Sequence, residues 1–139
     1  MVNEVSQDVI KHLEFIQAVI TRLNNASFLI KGWAMTVAAG IIGLAASQKD
    51  MRICGAGLVP LACFWLLDSY FLRQERMYRH LYDDVRRKEV EADRFSMDTK
   101  IYRESVPLMR SIISPLHLVF YPTPLATLLA LAVIGLVSS

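Results

Sequence analysis

Two apolar runs separated by a short polar tip constrain this chain more than any other feature. Between Lys31 and Lys49 stand 17 consecutive residues without a charge, and between Arg52 and Asp68 stand 15 more. The tip joining them is Ser47-Gln48-Lys49-Asp50-Met51-Arg52, and the second run continues past Asp68 through Ser69-Tyr70-Phe71-Leu72. A spanning helix needs about 17 to 25 mostly apolar residues to cross roughly 30 Å of hydrocarbon. Both runs reach that length once their ends are counted. A half-buried soluble helix of this size would show a polar face at a period of 3.6, and neither run does. The pattern predicts a membrane hairpin with spans over 28–47 and 53–72.

The chain has 139 residues, 54% of them hydrophobic and 20% charged, which predicts one small membrane domain over 1–139. Its N-terminus, Met1-Val2-Asn3-Glu4, has neither a basic region nor a following apolar one, so no cleavable signal is expected and the first span should direct insertion. The cations sort unevenly. Lys11, Arg22 and Lys31 precede the hairpin, and Lys49 and Arg52 lie in its tip. Ten more fall in 73–110: Arg73, Arg76, Arg79, Arg86, Arg87, Lys88, Arg94, Lys100, Arg103 and Arg110. Two spans put the first and last groups on one side, with 13 of the 15 cations, and the positive-inside rule makes that side cytoplasmic.

Residues 4–25 read as an amphipathic cytoplasmic helix, with Val9, Leu13, Ile16, Ile20 and Leu23 recurring at three and four residues. Asn24, Asn25 and Ser27 offer capping chemistry before the first span. Within that span Gly32, Thr36, Gly40, Gly43 and Ser47 form one small-residue face, either a packing seam against another helix or a pore wall. Pro60 predicts a bend in the second span. Asp68 lies near its inner end, where an ionisable residue needs a partner, and antiparallel pairing makes Lys31 that partner. The pair either fixes hairpin register or takes part in ion passage and gating. Cys54 and Cys63, nine apart, fit neither a metal site nor a redox pair and read as packing residues.

From Tyr70 to Phe95 no proline or glycine intervenes, so the second span should run on as a long cytoplasmic helix within a basic region over 73–110. Met77, Tyr78, Leu81, Val85, Ala92 and Phe95 gather on one side, with most arginines opposite. A solvated face of i, i+4 pairs accounts for such charges in a monomer. In a ring, copies of Arg73, Arg76, Arg79, Arg86, Arg87 and Lys88 would converge into a chamber for a polyanion, with Tyr78 and Tyr82 near enough to stack on bases. Ser96-Met97-Asp98-Thr99 offers caps for a short helix ending near Pro107. The 29 residues from Ser111 carry no formal charge, but Pro115, Pro122 and Pro124 interrupt them. Residues 112–121 read as a re-entrant or interfacial piece or as the start of a third span over 112–138, which we prefer. His117 reads as a packing residue rather than a ligand or proton relay.

No metal spacing, phosphate loop, nucleophile elbow or H-E-x-x-H motif occurs, so neither catalytic residues, a metal nor a cofactor is expected, and an enzyme is not. The fold class expected is all-α: an N-terminal amphipathic helix, a transmembrane hairpin continuing into a cytoplasmic helix, and a third transmembrane segment, assembled as a homo-oligomeric bundle. Two functions fit. One is an oligomeric channel. The other is a membrane scaffold that docks a soluble partner on Tyr78, Leu81 and Val85.

The segments Phe28-Leu29-Ile30-Lys31-Gly32-Trp33-Ala34 and Phe64-Trp65-Leu66-Leu67-Asp68-Ser69-Tyr70-Phe71-Leu72-Arg73-Gln74-Glu75-Arg76 carry a resemblance. Over about 8–95 the chain resembles a family of small bacterial membrane proteins found beside nucleotidyltransferase-like partners in antiphage defence, the HalB-type channel effectors of the Hailong system. The resemblance implies a homotetrameric inner-membrane channel with an electropositive cytoplasmic vestibule. Single-stranded oligodeoxyadenylate, a DNA oligomer made by the partner enzyme, would hold that channel closed, and its loss during infection would open it and depolarise the cell. Arg73, Arg76, Arg79, Arg86, Arg87 and Lys88 would then be the anion's site, with Lys31 and Asp68 at the pivot.

Overall fold

The computed structural model describes residues 2–87 and 96–138. Among these the chain is helical and contains no strand. Helix α1 spans Val2–Gln48, a 3₁₀ segment Met51–Gly57 leads into α2, Leu58–Arg87, and a second short 3₁₀ segment spans Lys100–Tyr102. Helices α3, Leu108–Ile112, α4, Pro115–Phe120, and α5, Pro122–Val137, complete it. Among the described residues three stretches are long and apolar enough to cross a membrane: Gln7–Gln48, Met51–Arg87 and Pro115–Val137. The chain is therefore compatible with a multi-pass membrane protein.

Helix α1 is continuous where a separate N-terminal helix over 4–25 was expected. Asn24 and Asn25 cost a helix only a few tenths of a kcal/mol each against good formers, and no proline or glycine stands between them and Lys31. The Ser27 hydroxyl donates to Asp68, a tertiary bond in place of a cap. Pro60 is the third residue of α2, directly after the 3₁₀ segment. First-turn amides have no intrahelical acceptor, so the proline marks the change of helix type and leaves the interior of α2 unbroken. The expected helix of 70–95 is described as far as Arg87.

The short helix expected before Pro107 is one 3₁₀ turn, opened by the Asp98 carboxylate accepting from the Lys100 amide at 2.9 Å. Pro122 has no amide to donate and so separates α4 from α5 at Tyr121. Amides of Tyr121 and Leu125 still bond to the carbonyls of His117 and Tyr121, at 3.1 and 3.2 Å. Pro115–Val137 thus offers a stretch of 23 residues, the turn at Tyr121 included, more than the 15 of 123–137.

The chain divides into two compact units, one of residues 1–26 and 70–111, the other of 27–69 and 112–139. In the first, Ile16, Ile20, Met77, Leu81, Val85, Tyr102 and Val106 form a buried apolar core. In the second, the core is Ala38, Ala45, Cys54, Leu61, Leu128 and Ala132. Small residues allow close approach there. A methyl on Gly135 would lie 2.7 Å from the Arg52 amide nitrogen, and one on Gly57 would lie 2.9 Å from side-chain methyls of both Ile41 and Leu128. The tip closes tightly: Lys49 takes the left-handed conformation (φ 52°), and Asp50 accepts from the Arg52 amide at 3.0 Å and from its guanidinium at 2.9 and 3.0 Å. That guanidinium holds the Asp50 carboxyl below its usual range.

Candidate functional site

Asp68, in the second unit, is fully buried on α2. Only a network of donors makes an ionised carboxylate tenable at such a place. One oxygen, Oδ2, accepts from Lys31 Nζ at 2.6 Å, His117 Nε2 at 3.0 Å and Tyr121 Oη at 3.0 Å. The other accepts from the Ser27 hydroxyl. Lys31 Nζ also donates to Ser27 Oγ at 2.7 Å.

Local sequence explains how three helices aim these groups at one point. Ser27 and Lys31 are four apart on α1, and His117 and Tyr121 are four apart across α4 and its end, so each pair projects from one helical face. Pro115 opens α4 and holds Ser114 extended (φ −61°, ψ 137°), which sets the register of His117. Trp65, one turn before Ser69, stacks on Tyr121 with ring centres 6.0 Å apart and 7° between planes, and its indole donates to the Ile112 carbonyl at 3.3 Å. Ser69 is fully buried, with its Oγ 2.7 Å from the Trp65 carbonyl and 3.3 Å from His117 Nδ1.

The structure thus brings Lys31 and Asp68 together. The expectation of a cap at Ser27 and of a mere packing role for His117 is corrected by these bonds, and Ser69 and Tyr121 were not singled out. The available signal was spacing: a polar side chain one helical turn from another, inside a run without charges, marks a face that must be satisfied internally.

The small-residue face lies elsewhere. Gly32, Thr36, Gly40, Gly43 and Ser47 are all exposed, and a methyl placed on Gly32, Gly40 or Gly43 would meet nothing within 4 Å. Within the chain α1 packs through Ala34, Ala38 and Ala45 instead.

In the first unit the arginines separate into two sets. Arg73 donates to the carbonyls of Val106 and Arg103 at 2.8 and 3.0 Å, and Arg76 donates to the Arg110 carbonyl at 3.2 Å. These two clasp the 103–110 segment. Arg79 pairs with Glu75, and Arg86 with Asp83 at 3.4 Å, yet their side chains remain 60% and 57% exposed; Arg87 is exposed as well. Lys88 lies outside the described residues, as do Ala92 and Phe95 of the apolar face. Leu81 and Val85 are buried against the chain's own core, and Tyr78 and Tyr82 pack partly on it. The face that a scaffold would offer to a soluble partner is thus largely covered from within. Tyr102 donates to Asp84 at 2.5 Å, and burial first, with that carboxylate second, pushes its hydroxyl up from the usual value.

No protein-family model, curated protein or solved structure matches the chain. Among the described residues no group of histidines, cysteines and carboxylates could hold a metal ion.

Proposed function

We propose that the chain is a subunit of a homo-oligomeric ion channel in a bacterial inner membrane, an effector of antiphage defence that a polyanionic ligand holds closed. The observation that carries the channel reading is the buried Asp68 cluster. A carboxylate, an ammonium and an imidazole inside helices apolar enough to span a bilayer are costly, and such groups are characteristic of ion pathways and gates. Homo-oligomeric assembly, as a tetramer in the reading the resemblance implies, is supported by the exposed face of Gly32, Thr36, Gly40, Gly43 and Ser47, because small residues let helices meet closely in lipid.

The cation distribution supports an N-terminus and basic helix in the cytoplasm and a C-terminus in the periplasm. In that orientation Arg79, Arg86 and Arg87 are the groups available to a polyanion, while Arg73 and Arg76 build the platform that carries them. Like charges repeated around a ring repel, so an empty vestibule favours separation and opening, and a bound polyanion favours closure. The resemblance to Hailong effectors suggests single-stranded oligodeoxyadenylate from a nucleotidyltransferase-like partner as the ligand. Phosphate contacts of this kind make affinity fall steeply with salt.

Planar-bilayer recording of the purified protein tests this. Single-channel current suppressed by oligodeoxyadenylate on the cytoplasmic side, and less by an oligonucleotide of scrambled sequence, is the expected result. Absence of current from protein shown to be folded and inserted would overturn the channel reading, and current indifferent to both oligonucleotides would overturn the ligand.

A further inference from the structure

Ser69 and His117 together pose a question of proton count. A hydroxyl carries one proton and a carboxylate none, while a histidine carries one or two. His117 Nε2 faces the Asp68 carboxylate at 3.0 Å and must donate to it. Its Nδ1 faces Ser69 Oγ at 3.3 Å, and that same oxygen is 2.7 Å from the Trp65 carbonyl. Two arrangements satisfy these positions. With a neutral ring, the Ser69 hydroxyl turns to Nδ1 and gives up the carbonyl. With a doubly protonated ring, Nδ1–H donates to Ser69 Oγ, and the hydroxyl proton points to the Trp65 carbonyl at the shorter distance. Among Trp65, Ser69 and His117 the heavy atoms serve both arrangements, and only one hydroxyl rotates.

We infer that this cluster is a proton-binding site in which His117 and Lys31 compete for one oxygen of Asp68. The titratable groups around the ring are Asp68 on α2, Lys31 on α1 and Tyr121 at the end of α4. Lys31 Nζ and His117 Nε2 both lie on Oδ2, so a proton taken from solution onto Nδ1 leaves two cations sharing one negative charge. Lys31 is the one that yields. Its stem is flexible, its side chain is 15% exposed, and it retains Ser27 as a second partner, whereas His117 is 1% exposed and held from both nitrogens. Proton uptake then moves the counterion of Asp68 from α1 to α4 and weakens the clasp between α1 and α2.

The inference adds regulation to the cluster on which the channel reading rests, but its test reads protonation directly and gives an answer whether or not current flows. The full chain, with ¹⁵N-labelled histidine, is placed in lipid nanodiscs, and the ring signals of His117 are assigned by their loss in His117→Gln. On acidification the wild-type ring should pass from one protonated nitrogen to two. Removing the competing cation in Lys31→Met should move that transition to higher pH by roughly one unit, and Lys31→Arg should restore it. Lys31→Gln serves the same purpose where Lys31→Met does not insert. A wild-type ring unchanged from pH 5 to pH 8.5 would overturn the site. A transition at the same pH with and without Lys31 would overturn the competition.

Discussion

The two units are built on opposite plans. In the first, large apolar side chains fill the centre, with Ile16, Met77, Leu81 and Tyr102 all buried, and arginines trim the rim. In the second, the apolar core is built largely of small side chains, a carboxylate, an ammonium and an imidazole are paired in a separate buried cluster, and Phe28, Trp33, Val59 and Val119 point outwards at 62–77% exposure. The difference follows from the solvent each suits. In water, burying apolar surface drives helices together. In hydrocarbon, outward-facing apolar groups lose nothing, so helices are joined by close contact of small residues and by polar bonds. The first unit is held by its core, and the second by its cluster and its small-residue contacts.

The comparison can be broken most readily at Asp68. Asp68→Ala leaves the ammonium of Lys31 without its carboxylate, and the loss of one partner from a buried pair costs about 3 to 5 kcal/mol. Titration with SDS in mixed micelles should record a loss of that size, and a loss under about 1 kcal/mol would mean the cluster does not hold the second unit. Leu81→Ala, at 2% exposure, should cost about 3 kcal/mol in the same measurement by leaving a cavity in the first unit. A near-neutral result there would remove the apolar core as its organising principle.

Gly135→Ala sharpens the contrast on the side of the second unit. Its methyl meets the backbone of Arg52 and Met51, which side-chain motion cannot relieve, and overpacking of this kind costs about 2 kcal/mol. Gly40→Ala, where a methyl meets nothing within 4 Å, is the internal control for monomer stability. The smallest effect is expected at Tyr102→Phe, which removes the hydroxyl bonded to Asp84 at a cost of about 1 kcal/mol. Because folding raises the Tyr102 hydroxyl above its ordinary value near 10, its contribution is complete below that pH and is lost as pH rises toward the folded-state value. The Phe variant should lack this part of the alkaline destabilisation.

How much of this was legible in the sequence depended on whether a feature was local. Charge-free runs revealed three apolar stretches, and the helical spacing of Ile16, Ile20, Leu81 and Val85 marked faces that the structure buries in one core. The Lys31–Asp68 proximity followed from hairpin geometry alone. His117 and Tyr121 were not legible, because their partner is about 50 residues away and their register depends on Pro115 and Pro122, which read as interruptions. The arginines misled in a different way. A sequence shows that Arg73 and Arg76 are cationic, but not that backbone carbonyls of 103–110 occupy them.

In the proposed channel the Asp68 cluster controls ion passage and does more than fix the packing of helices. Replacing a buried pair by apolar side chains of similar size often leaves stability unharmed while removing the charge, so Lys31→Met with Asp68→Leu separates the two roles. Current through that double variant, recorded in planar bilayers from protein shown to be inserted, is the most direct test. The expected result is a channel that conducts differently from wild type and no longer closes on addition of oligodeoxyadenylate. Wild-type conductance with unaltered closure would contradict it.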